Sequence, residues 1–166
     1  MAAGVGVTPM LAMLRHIVYE GLRTRHVRPT TFFYAARSKA ERAFEGELAE
    51  LVKQADGAVR IVRLLDTADG ALLRQDYDVQ GRIDMGLLKQ VLGFDDYDFY
   101  LCGPPPFMQS IYDGLRELNV ADARVHAEAF GPASLIRHSD IANDEPIRLP
   151  STAPVPVAFA TSGKEA

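Results

Sequence analysis

Residues 4–10 read GVGVTPM, with a long apolar-patterned segment behind them and only Met1, Ala2 and Ala3 in front. A Gly-x-Gly turn of this kind normally joins a buried strand to a helix. Its glycines let backbone N–H groups approach an anion, and the following helix aims its positive end at the same place. Gly4 and Gly6 suit that task, while Pro9 stands where the usual dinucleotide fingerprint has its third glycine. Flexible residues at a plain helix start would read the same on this stretch alone. No strand is legible before the turn.

Working outward, PMLAMLRHIVYEGLRTR (9–25) sets Met10, Leu11, Leu14, Ile17, Val18 and Leu22 at helical spacing. That predicts an amphipathic helix with Thr8 as its N-cap and Pro9 in its first turn. TTFFYAA (30–36) is β-branched and aromatic without polar alternation, as suits a strand buried on both faces of a parallel sheet. SKAERAFEGELAELVKQ (38–54) predicts a second helix, with Ser38 as cap, Glu41 as its capping-box partner, and Phe44, Leu48, Leu51 and Val52 as the apolar stripe. VRIVRLL (59–65) predicts a strand, the polar stretch to Gly81 a long loop, and MGLLKQVL (85–92) a short helix capped by Asp84. DFYLCG (98–103), PPPFMQSIYDGLRELNV (104–120) and VHAEAF (125–130) follow as strand, helix and strand. This alternation predicts an α/β fold with a mostly parallel sheet. Residues 132–153 lose the pattern and read as a linker, after which PVPVAFAT (154–161) resumes a strand-like run.

With 166 residues the chain can bury one sizeable core and carry a tail. Lys and Arg number 18 against 22 Asp and Glu, without a basic block, so no nucleic-acid partner is expected. No apolar run approaches the ~20 residues that span a bilayer, and the first residues lack a basic leader. No membrane partner is expected either. Cys102 is the single cysteine, which excludes an internal disulfide. His16, His26, His126 and His138 show no ligand spacing, so no metal site is expected. These features fit a cytoplasmic chain.

A second turn, CGPPPFM (102–108), directly follows a buried strand and opens a helix. Taken in order, GVGVTPML, YAARS, YLCGPPPFM and EAFG resemble the nicotinamide-binding domain of the ferredoxin-NADP reductase superfamily, nearest its phthalate dioxygenase reductase and vanillate demethylase reductase branch. The resemblance covers residues 3–131. It implies a Rossmann-like, five-stranded parallel sheet flanked by helices, whose first and central strand is largely truncated here. It also implies a chain excised from a longer reductase. There NADPH or NADH passes electrons to FAD or FMN on a preceding barrel, then to a [2Fe-2S] centre and a downstream oxygenase or other acceptor. The tail is similar to the start of a plant-type ferredoxin domain (154–166), without its cluster cysteines. Loss of most of the central strand would leave its neighbours unpaired, a gap that PVPVAFAT, from this chain's tail or from a neighbouring molecule, is expected to fill.

At matching positions the resemblance implies that Gly4, Val5, Gly6 and the helix start hold the cofactor pyrophosphate. Thr8 would face nicotinamide or flavin, and Pro9 would set the helix entry. Arg37 and Ser38 match the position that meets the adenosine ribose, where a carboxylate favours NAD and an arginine the 2'-phosphate of NADP. No acid occupies YAARS, which leans towards NADPH. Arg42 is a second candidate there, or else a solvated charge on a helix face. Cys102 corresponds to a residue beside the nicotinamide carbon that gives up hydride, in a packing role. Gly103 permits close approach, and Pro104, Pro105, Phe107 and Met108 line the wall. Glu128 and Phe130 match a Glu-x-Phe at the nicotinamide and flavin junction. Thr8, Cys102, Glu128 and Phe130 are thus the groups expected nearest the reacting atoms. A period of two puts His126, Glu128 and Phe130 on one face, with His126 read as a surface residue. The alternative function is a non-enzymatic nucleotide-binding or interaction domain using the same turns.

Overall fold

The apolar runs become the inner strands of one parallel sheet. The computed structural model describes residues 1–130 and 135–138. Its elements are β1 (Ala2–Ala3), α1 (Val7–Thr24), β2 (Thr30–Ala36), α2 (Glu45–Gln54), β3 (Val59–Leu65), β4 (Val79–Gln80), α3 (Met85–Val91), β5 (Phe99–Cys102), α4 (Pro105–Glu117) and β6 (Val125–Glu128). The six strands run in the order β4-β3-β2-β1-β5-β6, and every pairing is parallel.

Each inner strand feeds two cores because alternate side chains leave opposite faces. Phe32, Tyr34 and Cys102 meet Leu11, Leu14 and Val18 of α1 and Leu48 and Leu51 of α2 on one face. Phe33, Leu64 and Leu101 meet Leu87 and Leu88 of α3 and Met108, Ile111 and Leu115 of α4 on the other. That is why TTFFYAA and VRIVRLL show no polar alternation.

Two differences from the expected sheet concern its shortest strands. The five expected strands become six, because β4 forms inside the stretch read as a loop, pairing Val79 with Leu64 and Gln80 with Leu65. Backbone pairing alone defines it, and two residues carry no readable pattern. The strand that was illegible before the glycine turn is β1. It has only two residues, yet it is central: Ala2 pairs with both Tyr34 and Cys102, and Ala3 with Ala35. Met1 lengthens the join, its carbonyl accepting from the Cys102 N–H at 3.1 Å and its amine donating to the Tyr100 carbonyl at 2.6 Å. Among the described residues, the part of β2 before Tyr34 pairs with β3 only. PVPVAFAT, expected in that gap, lies outside the described residues, as does the whole expected ferredoxin start.

Helix starts also differ. Gly6, not Thr8, is the N-cap of α1; Thr8 lies in the first turn and donates to the Val5 carbonyl at 2.7 Å. Ser38 makes no side-chain cap bond, because residues 39–41 form a separate 3-10 turn and α2 begins only at Glu45. Asp84 caps α3 as expected, accepting from the Leu87 N–H at 2.8 Å. Within the expected linker, residues 135–138 lie along α4. The Gln109 side chain brackets Ile136, and the Tyr112 hydroxyl accepts from the His138 N–H at 2.7 Å while donating to Asp122.

Candidate functional site

β1 and β5 are neighbours, but the chain leaves them in opposite directions. From β1 it crosses through α1 to β2 on one side, and from β5 through α4 to β6 on the other, with the two helices on opposite faces. Such a reversal opens a crevice at the carboxyl edge of the sheet, the place where open α/β folds bind ligands. Both glycine turns lie on this edge.

The turns pack backbone on backbone. A Cβ on Gly6 would overlap the carbonyl of Cys102, and one on Gly103 would press on Ala3 and Phe107. Gly4 instead has a positive φ of 55° and open space where a Cβ would stand. This leaves a cradle that glycine alone keeps clear at one end and tightly closed at the other. Val5 is exposed at its apex, and no acidic side chain lies in the first turn of α1 or of α4. Residues 4–6 form a 3-10 turn that hands the Val7 N–H to the Gly4 and Val5 carbonyls, and Pro104, Pro105 and Pro106 leave the start of α4 without N–H donors; what the two helix starts offer an anion such as a pyrophosphate is their positive ends without a competing negative charge.

On the β2 side, Arg37 is exposed, with Glu41 3.9 Å from its guanidinium. Its carbonyl accepts from the Thr67 N–H at 2.8 Å and hydroxyl at 3.0 Å, which ties the end of β2 to the loop after β3. Ser38 follows, partly buried. Arg42 departs from both expected positions: it is buried beneath this loop rather than solvated on a helix face or presented to a ribose.

On the other side, Cys102 is 0% exposed, and burial, reinforced by Glu128, pushes its thiol pKa up. An inert thiol results, suited to packing. Met108, expected on the site wall, is 1% exposed and belongs to the α4 core, since its helical position points into the sheet. Pro104 and Pro105 are exposed and Phe107 is partly so. Glu128 is exposed beside Cys102 in register, and Phe130 is 54% exposed, so it is not ordinary core. His126 lies on the surface and stacks on Tyr100 with ring centroids 4.6 Å apart. Tyr100, two residues before Cys102 in β5, shares its face of the strand.

Among the described residues, no group of His, Cys, Asp or Glu could hold a metal, and no helix is long and apolar enough to cross a membrane. A separate groove of about 1050 Å³, lined by Leu88, Leu92, Phe94, Tyr97, Leu115 and Leu118 among others, lies at the opposite, amino edge of the sheet.

The model of the oxidoreductase NAD-binding domain family matches residues 1–113. The chain belongs to that family. It is 36% identical over 132 residues to a flavohemoprotein of Oceanobacillus iheyensis, a match covering 80% of this chain and 30% of that protein. Among solved structures, the flavohem-like FAD/NAD binding domain of a nitric oxide dioxygenase from Vibrio cholerae superposes with a TM-score of 0.61 at 34% identity, covering 79% of this chain and 49% of the other. A flavohemoglobin from Malassezia yamatoensis, solved with bound FAD and heme, gives a TM-score of 0.62 at 28% identity, covering 78% and 30%. The chain thus spans about a third of the length of the curated relatives it matches.

The packing of this NAD-binding domain makes its two turn glycines unequal. Gly6→Ala should cost at least about 2 kcal/mol, because backbone has to move. Gly4→Ala should cost only about 1 kcal/mol, from its positive φ. Urea unfolding of both variants checks this; equal stabilities would contradict it. Iodoacetamide at pH 8 should leave Cys102 unlabelled in the native chain and label it in urea, as read by mass spectrometry.

Proposed function

We propose that this chain is the nicotinamide-nucleotide module of a flavin-dependent oxidoreductase, receiving NADPH or NADH at the β1/β5 crevice and presenting it to a flavin held by another domain. The observation that carries the reading is the meeting of two glycine turns at the point where the sheet's connections reverse. In this reading Gly4, Val5, Gly6 and the α1 start hold the pyrophosphate, with Thr8 and Pro9 shaping the approach. Arg37 and Ser38 meet the adenosine ribose. Gly103, Pro104, Pro105 and Phe107 flank the nicotinamide, Cys102 packs behind it, and Glu128 and Phe130 stand where the flavin arrives. The flavin supplies the redox chemistry; this chain binds, orients and excludes water.

FAD is favoured over FMN by the likeness to the flavohem-like FAD/NAD binding domain from Vibrio cholerae. For the electron acceptor, the likeness to flavohemoproteins and to a flavohemoglobin with bound heme favours haem. The [2Fe-2S] reading rests on residues 154–166, which lie outside the described residues, and the dioxygenase-reductase branch with its oxygenase partner rests on the resemblance of GVGVTPML, YAARS, YLCGPPPFM and EAFG alone. The exposed Phe130 and Glu128 favour an electron-transfer module over a binder of adenine nucleotides alone, since such a binder has no use for that side of the crevice.

Calorimetric titration with NADPH and NADH tests the reading. Saturable binding is expected, tighter for NADPH, with the preference removed in Arg37→Ala. A folded chain that binds neither nucleotide would refute the function, whereas an unchanged preference in the variant would refute the role of Arg37 alone.

A further inference from the structure

Arg42 lies between the 3-10 turn at Lys39–Glu41 and α2, and it is the charged side chain that the described core buries, at 8% exposure for the residue. Its side chain is only 2% exposed, so a ligand in the crevice cannot reach it. Nε and Nη2 both go to the Glu45 carboxylate, while Nη1 is buried with no hydrogen-bond partner. A guanidinium taken out of water and left partly unsatisfied destabilises the fold. Such a group is retained most readily where it selects one conformation of its surroundings.

Those surroundings are the loop that carries Arg37 and Ser38. Directly after Arg42, the Ala43 N–H donates to the buried Tyr34 hydroxyl at 3.0 Å, and Phe44 takes a left-handed φ of 62° before α2 begins. Lys39 reaches across to Asp76 at 2.7 Å, and Arg63 holds Asp78 at 2.9 Å. The Arg42 charge helps to keep both carboxyls low. It acts behind the Leu72 N–H and Lys39 at Asp76, and behind the Arg63 bonds, which overcome burial, at Asp78. Arg42 is thus the fixed positive charge beneath two loops that meet at the carboxyl ends of β2 and β3.

We propose that Arg42 is a positioning residue: bound to Glu45 under the loop, it holds residues 37–44 in the conformation that receives the adenosine ribose, without touching the nucleotide. This rests on the nucleotide-binding reading above. A residue that shapes the loop affects NADH and NADPH alike, whereas one that meets the 2'-phosphate affects NADPH selectively. That difference separates Arg42 from Arg37.

The test titrates NADH and NADPH into the wild-type chain and into Arg42→Met, Arg42→Lys and Glu45→Gln, with amide hydrogen exchange and thermal unfolding measured in parallel. Arg42→Met should weaken both nucleotides by the same factor, about tenfold, and raise exchange chiefly at residues 37–44. Arg42→Lys and Glu45→Gln should fall between it and the wild type. If Arg42→Met does not fold, Glu45→Gln carries the same two readouts. A loss confined to NADPH would overturn the proposal in favour of direct contact. Unchanged affinities with a lowered melting temperature would overturn it in favour of a stability role. A wild-type chain that binds neither nucleotide would instead remove the nucleotide reading itself, and the proposal with it.

Discussion

Two alanines hold the carboxyl edge of the sheet together. Ala2 and Ala3 form the strand between β2 and β5, so the two halves of the sheet, with their helices on opposite faces, are joined through a handful of backbone hydrogen bonds. Where β1 stops, Gly4 must turn the chain upward, and Gly6 must bring it back against the Cys102 carbonyl without a side chain between them. The start of α1 is therefore aimed by the same contact that closes the β5 turn. Displacing either turn displaces the other, along with the positive helix end that would face an anion.

The larger elements of this arrangement were legible from burial pattern. TTFFYAA, VRIVRLL and DFYLCG read as doubly buried strands because side chains on both faces of a parallel sheet are apolar, and the helices read from their 3.6-residue stripes. What stayed hidden was defined by backbone rather than by side-chain type. β1 and β4 are too short to show a period, although each completes a ladder. Ser38 and Glu41 presented a capping box whose pattern was met while its geometry was not, since residues 39–44 make a 3-10 turn and a left-handed step before α2. A capping motif states which bonds are available; the chain between β2 and α2 followed the ties of Arg42, Tyr34 and Asp76 instead.

The candidate site divides along the same line. Glycine and proline positions translate directly from sequence because they act through backbone conformation, and Gly4, Gly6, Gly103 and Pro9 all lie at the expected edge. Charged and sulfur-bearing residues do not translate so directly, because their role depends on burial. Arg42 and Met108 looked like ligand contacts and are internal. Phe130 could have been core and is exposed. The buried Cys102, with its raised thiol pKa, supplies shape rather than reactivity. Electrostatically, the crevice presents two helix starts free of acidic first turns, with the Glu128 carboxylate on the β5–β6 side only, an asymmetry that would orient a ligand with an anionic middle and an uncharged ring.

The measurement that bears most directly on this account is amide chemical-shift mapping of the isotope-labelled chain during titration with NADH. The shifts should concentrate on residues 4–8, 37–38, 103–107 and 128–130, the four segments that meet at the carboxyl edge of the sheet. Shifts gathered around Leu92, Phe94 and Tyr97, in the groove at the opposite edge, would contradict the claim that the β1/β5 switch point is where this protein holds its nucleotide.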